Sequence, residues 1–192
     1  MGRSGRPGRS YTGPMANPPA SPTLYLVVSG ALAPEGVPEL VELLQDDGWK
    51  IAVLSTPDGT RFHRPDRLAE LTGEQVRVEY RLPGTGAPLP PADAVPACPL
   101  TFNSTNKFAQ GIADCFAIGL LCEMAGHGVP TVVVPHCKPQ LAAHPAFQRS
   151  LETLASIPAV TLLHDPDTPE DARLPAWGEV VAEVRKAAGL GG

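Results

Sequence analysis

A chain of 192 residues, 43% of them apolar, has room for one α/β domain with a sizeable core. Charged residues are 18%, with 15 Lys and Arg against 20 Asp and Glu and a net charge of −5, a balance that argues against sequence-independent nucleic-acid binding. The longest apolar stretches, 24–28 and 129–134, fall far short of the roughly 20 residues of a membrane-spanning helix.

Residues 1–22 carry Arg3, Arg6 and Arg9 among Gly, Ser and Pro, with no acidic residue. Such a segment cannot bury enough surface to offset its ordering entropy, so a disordered tail is expected, followed by a single domain over 23–190. Cysteines stand at 98, 115, 122 and 137, without zinc spacing, so no metal site is expected. With no signal peptide in view, reduced thiols and a cytoplasmic location are the expectation.

The domain opens with Leu-Tyr-Leu-Val-Val-Ser over 24–29, the pattern of a strand buried on both faces. After Gly30-Ala31, apolar residues at 37, 40, 41, 43 and 44 recur at helical spacing until Gly48. A second buried strand is expected over 51–54, a weaker helix over 64–71 and an edge strand over 76–80. The Pro-rich stretch 82–91 is a loop, and 94–98 reads as a strand although Pro96 removes one ladder donor.

One long helix, covered on most of its surface, is expected over 105–125. Strand 129–134, helix 144–154, strand 160–163 and helix 177–187 complete the chain. Strands alternating with helices predict a doubly wound parallel sheet in three α/β/α layers. Ligands of such folds sit beyond the carboxyl ends of the strands, which selects loops 29–34, 55–62, 99–106, 135–145 and 164–176.

Three of these loops are rich in small hydroxyl and amide residues: Ser29-Gly30, Ser55-Thr56 and Thr101-Phe102-Asn103-Ser104-Thr105-Asn106. A glycine after a strand lets a ligand approach the backbone, and hydroxyls beside unsatisfied helix N–H groups suit a phosphate. Ser104 or Thr105 also serves as an ordinary helix N-cap. His136, directly after a core strand, is the histidine that sequence order places beside such a site, where it is suited to acid or base chemistry. His127 precedes a strand and belongs at the opposite end of the sheet. His144 stands at a helix start before Pro145, and Asp114 is expected to order a helix or a subunit contact.

The segment Pro99-Leu100-Thr101-Phe102-Asn103-Ser104-Thr105-Asn106-Lys107, followed by Ala109-Gln110-Gly111-Ile112-Ala113-Asp114, resembles the central motif of the homo-oligomeric flavin-containing Cys decarboxylases. That superfamily includes phosphopantothenoylcysteine decarboxylase and the peptidyl-cysteine decarboxylases. Val28-Ser29-Gly30-Ala31-Leu32-Ala33, Leu54-Ser55-Thr56-Pro57 with Phe62, and Pro135-His136-Cys137-Lys138 with His144-Pro145 extend the likeness in the same order.

The resemblance implies a flavodoxin-like fold that binds FMN between subunits of a homotrimer, or of a dodecamer built of trimers. It implies oxidation of a cysteine side chain to a thioaldehyde, which then loses CO₂. Carried over by position, Ser29, Gly30, Ala31, Ser55, Thr56, Thr101, Phe102, Asn103, Ser104, Thr105 and His136 contact FMN. Cys137 and Lys138 contact the substrate, and His136 and Asn103 are the candidate catalytic residues.

The sequence also departs from that pattern. Alignment of Ala92-Asp93 with the family's Ala-Asp puts Thr85 where the family has its catalytic His, and no His occurs from 64 to 126. No Cys follows Cys137, so the reprotonating Cys of the pantothenate enzymes has no counterpart. Lys138 stands where the family has the Asn that binds the substrate carboxylate, and a Lys offers a point charge rather than a paired amide. Three functions follow: an FMN enzyme acting oxidatively on a thiol- or carboxylate-bearing peptide or small metabolite, a catalytically reduced FMN-binding assembly partner, or a flavin prenyltransferase-like enzyme.

Overall fold

The computed structural model describes residues 21–33, 36–164 and 174–190. The expected tail lies almost wholly, and loop 164–176 largely, outside these residues. The elements are β1 (Thr23–Val28), α1 (Val37–Asp46), β2 (Lys50–Ser55), a 3-10 turn (Gly59–Arg61), α2 (Pro65–Thr72), β3 (Val95–Leu100) and α3 (Phe102–Gln110). They continue with α4 (Phe116–Gly126), β4 (Thr131–Pro135), α5 (Pro139–Ala142), α6 (Pro145–Ala155), β5 (Val160–Leu162) and α7 (Trp177–Ala187).

All strand pairs are parallel and the order is β2-β1-β3-β4-β5, the flavodoxin-like doubly wound arrangement. Strand alternation divides the core between two faces. Leu24, Leu26 and Val28 of β1 turn towards α1 and α7, packing with Leu40, Leu44, Trp177 and Val180. Tyr25 and Val27 turn the other way, towards Phe108 of α3, Ile118 and Leu121 of α4 and Leu154 of α6. Trp177, fully buried in α7, donates its indole N–H to the Gly36 carbonyl at 2.9 Å. The last helix thereby fixes the start of α1 and the far side of the loop that follows β1.

Four elements differ from the sequence expectation. No edge strand forms over 76–80: a single bridge joins Arg77 to Leu54, with N–H···O bonds of 2.8 and 2.9 Å on either side. Val76 and Val78 are only half-buried and Glu79 and Tyr80 are exposed, so those two bonds are the segment's backbone links to the sheet, while Val76 packs on the core and Tyr80 on Phe116. The expected helix over 105–125 is two helices. Gly111 ends α3 in the left-handed region at φ 67°, and its N–H and that of Ile112 close back onto Lys107. The apolar spacing continues across this break, so periodicity alone hides it. β3 runs on through Pro99 to Leu100, and α5 forms a short turn of helix that sequence spacing did not announce.

The carboxyl end of β3 organises the loops around it. Neither Pro96 nor Pro99 has an amide hydrogen, and the β3–β4 register is irregular between Ala97 and Leu100. Ser29 takes over the β1 side. Its N–H and hydroxyl both donate to the Pro99 carbonyl, at 3.2 and 3.0 Å, while its Oγ accepts the Thr101 N–H at 2.8 Å. On the β4 side, the His136 N–H donates to the Leu100 carbonyl at 2.7 Å.

His63, almost wholly buried after the 3-10 turn, places Nε2 at 2.6 Å from the Ser29 carbonyl. A carbonyl only accepts, so the neutral ring carries its proton on Nε2. Burial lowers the His63 pKa, and the bond to Ser29 opposes that only in part. As pH falls, the unfolded chain therefore takes up this proton before the folded one does. The corresponding stability is fully present above about pH 6.5, the ordinary histidine value, and is lost as pH falls towards the folded value. Between pH 7.5 and 5.5, chemical denaturation should show a larger loss of stability for the wild type than for His63→Gln; equal losses would contradict this assignment.

Candidate functional site

A large cleft of about 960 Å³ opens at the carboxyl ends of β1, β2, β3 and β4. Its volume falls at the upper end of the range of small-molecule and cofactor sites. It spans the point between β1 and β3 where the strand order reverses, the place where doubly wound sheets bind ligands.

The first wall is Gly30, Ala31 and Leu32, and the second is Thr56, Pro57, Asp58, Arg61 and Phe62. The two walls meet so closely that a Cβ on Gly30 would lie 3.2 Å from both Asp58 Cβ and the Phe62 ring. A side chain at 30 requires Asp58 or the Phe62 ring to give by a few tenths of an ångström. Within the second wall, Thr56 Oγ1 accepts the Gly59 N–H at 3.1 Å, closing the turn that presents Arg61.

The third wall is the amino end of α3, with Thr101, Phe102, Asn103, Ser104 and, one turn on, Lys107. Thr101 caps this helix: its Oγ1 accepts the Ser104 N–H at 3.1 Å and donates to Ser104 Oγ at 3.0 Å. The N-cap is thus Thr101 and not Ser104 or Thr105, because the helix begins at Phe102. Asp114, Cys115 and Ile118 form the fourth wall, across the Gly111 reversal. Lys107 Nζ and Asp114 Oδ2, 2.5 Å apart, link the third and fourth walls at the rim. The fifth wall is His136, Cys137, Lys138 and Leu141.

Most of the predicted site residues converge. Gly30, Ala31, Thr56, Thr101, Phe102, Asn103, Ser104, His136, Cys137 and Lys138 all line this cleft. Ser29, Ser55 and Thr105 do not, and each is fully buried behind it. Ser29 is occupied with Pro99 and Thr101 as described. The Ser55 hydroxyl donates to the Thr56 carbonyl at 2.9 Å, and Thr105 points its methyl and hydroxyl into the protein interior. These three shape the walls without reaching the cleft.

Thr85, the position aligned with the family's histidine, is exposed in the 82–91 loop and absent from the cleft lining. Its hydroxyl donates to the Leu82 carbonyl at 2.8 Å. His127 is exposed at the amino end of β4, 3.8 Å from Glu123, at the far end of the sheet. His144 Nδ1 accepts the Ala146 N–H at 3.1 Å and so caps α6. Asp114 orders the α3–α4 reversal through Lys107, as its place in the sequence suggested.

Asp58, Arg61, Lys107 and Cys115 are cleft residues that sequence reasoning did not single out. Loop position was the available signal for Asp58 and Arg61, since 55–62 follows a core strand. The cleft therefore gathers three cations, Arg61, Lys107 and Lys138, against Asp58 and Asp114. Between them lie the apolar surfaces of Ala31, Phe62, Phe102, Ile118 and Leu141. This combination suits a flat, partly apolar ligand with an anionic end. Among the described residues no group of His, Cys, Asp and Glu is arranged to hold a metal ion, and no helix is long and apolar enough to cross a membrane.

Known proteins resemble this chain in sequence and fold. Over 143 residues the chain is 29% identical to the coenzyme A biosynthesis bifunctional protein CoaBC of Escherichia coli strain K12. That match covers 71% of this chain and 34% of that protein, so the chain spans about a third of its relative's length. The crystal structure of the FMN-dependent cysteine decarboxylase TvaF, from thioviridamide biosynthesis, superposes with a TM-score of 0.70 at 25% identity, over 88% of this chain and 98% of that one. HAL3 from Cryptococcus neoformans shares the fold, with a TM-score of 0.75 at 20% identity over 89% of this chain and 98% of that one. The Flavoprotein family matches residues 16–189. The chain belongs to the Flavoprotein family.

Proposed function

We propose that the protein binds FMN in the cleft and acts oxidatively on a thiol- or carboxylate-bearing peptide or small metabolite. The observation that carries this reading is the meeting of the Gly30 approach and the Thr101-capped helix at the β1/β3 switch point, in a chain of this family. The residues present fit the cofactor. Gly30 and Ala31 line the cleft with little side chain between backbone and ligand, the amino end of α3 favours negative charge, and Phe62, Phe102 and Ile118 offer apolar surface for a ring. FMN supplies two-electron oxidation when bound.

The remaining chemistry falls to side chains of this chain. Asn103, exposed on the third wall, offers a donor and an acceptor to the cofactor and the reacting group. His136 is the imidazole that lines the cleft among the described residues, and its backbone is anchored to Leu100. It is suited to hold and move a substrate proton near neutral pH. Lys138, at the start of α5, attracts a substrate carboxylate, with Cys137 beside it. The position of Thr85 outside the cleft favours a second reading, an FMN-binding assembly partner with reduced catalysis.

Subunit association belongs to the same proposal. α4 is apolar nearly all round, and its half-buried Phe116, Leu120, Cys122 and Met124 leave an outward face beyond the needs of one core. Leu32, Ile112 and Leu141 add exposed apolar surface near the cleft. A homotrimer covers this surface and completes each cleft with a neighbour's side chains. Light scattering at micromolar concentration should give about three times the 20.1 kDa chain mass; a clean monomer would defeat this part.

Titration of the cofactor-free protein with FMN should show tight binding, and Asn103→Ala should weaken it by about 1–3 kcal/mol. Absence of binding at micromolar FMN removes the cofactor assignment. For turnover, candidate cysteine-ending peptides and cysteine-containing metabolites are followed by mass spectrometry for loss of CO₂ and two hydrogens. His136→Ala should lower turnover roughly 10²–10⁴-fold with FMN still bound, whereas Lys138→Ala should mainly raise KM. FMN binding without turnover of any such substrate would support the assembly-partner reading instead.

A further inference from the structure

We infer that His63 is a positioning residue for the cofactor-facing loop, holding the Gly30–Leu32 wall through the Ser29 carbonyl. Its Nε2 lies 2.6 Å from that carbonyl, which also accepts the Ala31 N–H at 2.7 Å. Two donors thus converge on one oxygen at the point where the chain leaves β1 and turns into the cleft. Ala31 N–H bonding two residues back makes a tight turn, and this turn sets the direction in which Gly30, Ala31 and Leu32 face the cavity.

The bond also joins two walls. His63 follows directly on Phe62 of the second wall, and its own N–H donates to the Gly59 carbonyl at 3.1 Å. The second-wall loop, fixed at Gly59 by Thr56, is therefore tied to the first-wall loop by the imidazole. The space between Gly30 and Asp58 and Phe62 leaves little tolerance, since a single added carbon would sit at 3.2 Å from both. Ser29 then passes the constraint to the third wall, because its Oγ accepts the N–H of the capping residue Thr101. One buried side chain outside the cleft thereby sets the spacing of three of its walls.

A purely space-filling role for His63 predicts nothing about which ring nitrogen matters. The geometry requires a donor at the Nε2 position, with Nδ1 unused in this contact. Gln extends an amide N–H to about where Nε2 stands, whereas Asn reaches only the Nδ1 position. The two amides differ little in polarity, so their contrast isolates the bond to Ser29 from the loss of an imidazole.

This inference rests on the cleft being the FMN site only for its binding arm. In that arm, His63→Gln should hold FMN within about threefold of wild type, and His63→Asn should weaken it by about tenfold or more, as for loss of a buried hydrogen bond. The second arm needs no ligand. In the wild-type protein, long-range nitrogen NMR of the imidazole should show the Nε2–H form, and the Ala31 amide should exchange slowly in wild type and His63→Gln but faster in His63→Asn. Nδ1–H as the dominant form overturns the inference whatever the variants do. So does equal Ala31 exchange in all three proteins, or equal FMN affinity of the Gln and Asn variants. Failure of wild type to bind FMN counts against the proposed function alone, and the Nε2–H form with the exchange contrast then still upholds the role of His63.

Discussion

The cleft depends on how the end of β3 is tied off. A strand that ends in Pro99-Leu100 gives carbonyls to its neighbours without a Pro99 N–H to match them. Ser29 meets this by spending its amide and hydroxyl on Pro99 and its oxygen on Thr101, so that β1 and the cap of α3 are fixed together. His136 does the same from β4 with one backbone bond. Three strand ends are thereby locked side by side, and the loops leaving them have no choice but to surround one cavity. Unsatisfied, these buried donors and acceptors would cost about 1–3 kcal/mol each, which explains why polar residues occupy a region otherwise filled by Val and Leu.

Upon this scaffold, the chemistry of the cleft is set by loops rather than by the sheet. The apolar residues come from the first turns after the strands and from α4, while Arg61, Lys107 and Lys138 come from three different loops or helix turns. Lys107 is engaged by Asp114 across the α3–α4 reversal, so its charge is partly spent on holding that corner. Arg61 and Lys138 make no ion pair among the described residues, which leaves them as the charges available to an anionic ligand. Both are partly in water, so they steer and orient more than they bind.

Much of the architecture is legible in the sequence because the strands of a doubly wound sheet are short, apolar and unbroken. The runs around Leu26, Val53 and Val133 announce themselves, and the loops after them follow from the topology. The reversal at Gly111 is not legible by spacing, since Phe108, Ile112 and Phe116 continue a helical period through a residue that ends the helix. The segment around Arg77 fails as a strand because only one bridge holds it, a fact of neighbours and not of propensity. Among site residues, loop position finds Gly30, Thr56, Thr101 and His136, but it cannot separate Ser29, Ser55 and Thr105, whose hydroxyls turn inward. His63 has no periodic signature between Phe62 and Arg64, and its partner lies 34 residues away.

The central claim is that FMN occupies this cleft and no other surface of the protein. An amide NMR titration of the cofactor-free chain with FMN tests it most directly. The account predicts that the shifts concentrate at Gly30, Ala31, Thr56, Asn103, Ser104 and His136, with the amides around His127 at the opposite end of the sheet unmoved. Saturating FMN that leaves the cleft amides in place, or that perturbs a different face, would contradict it.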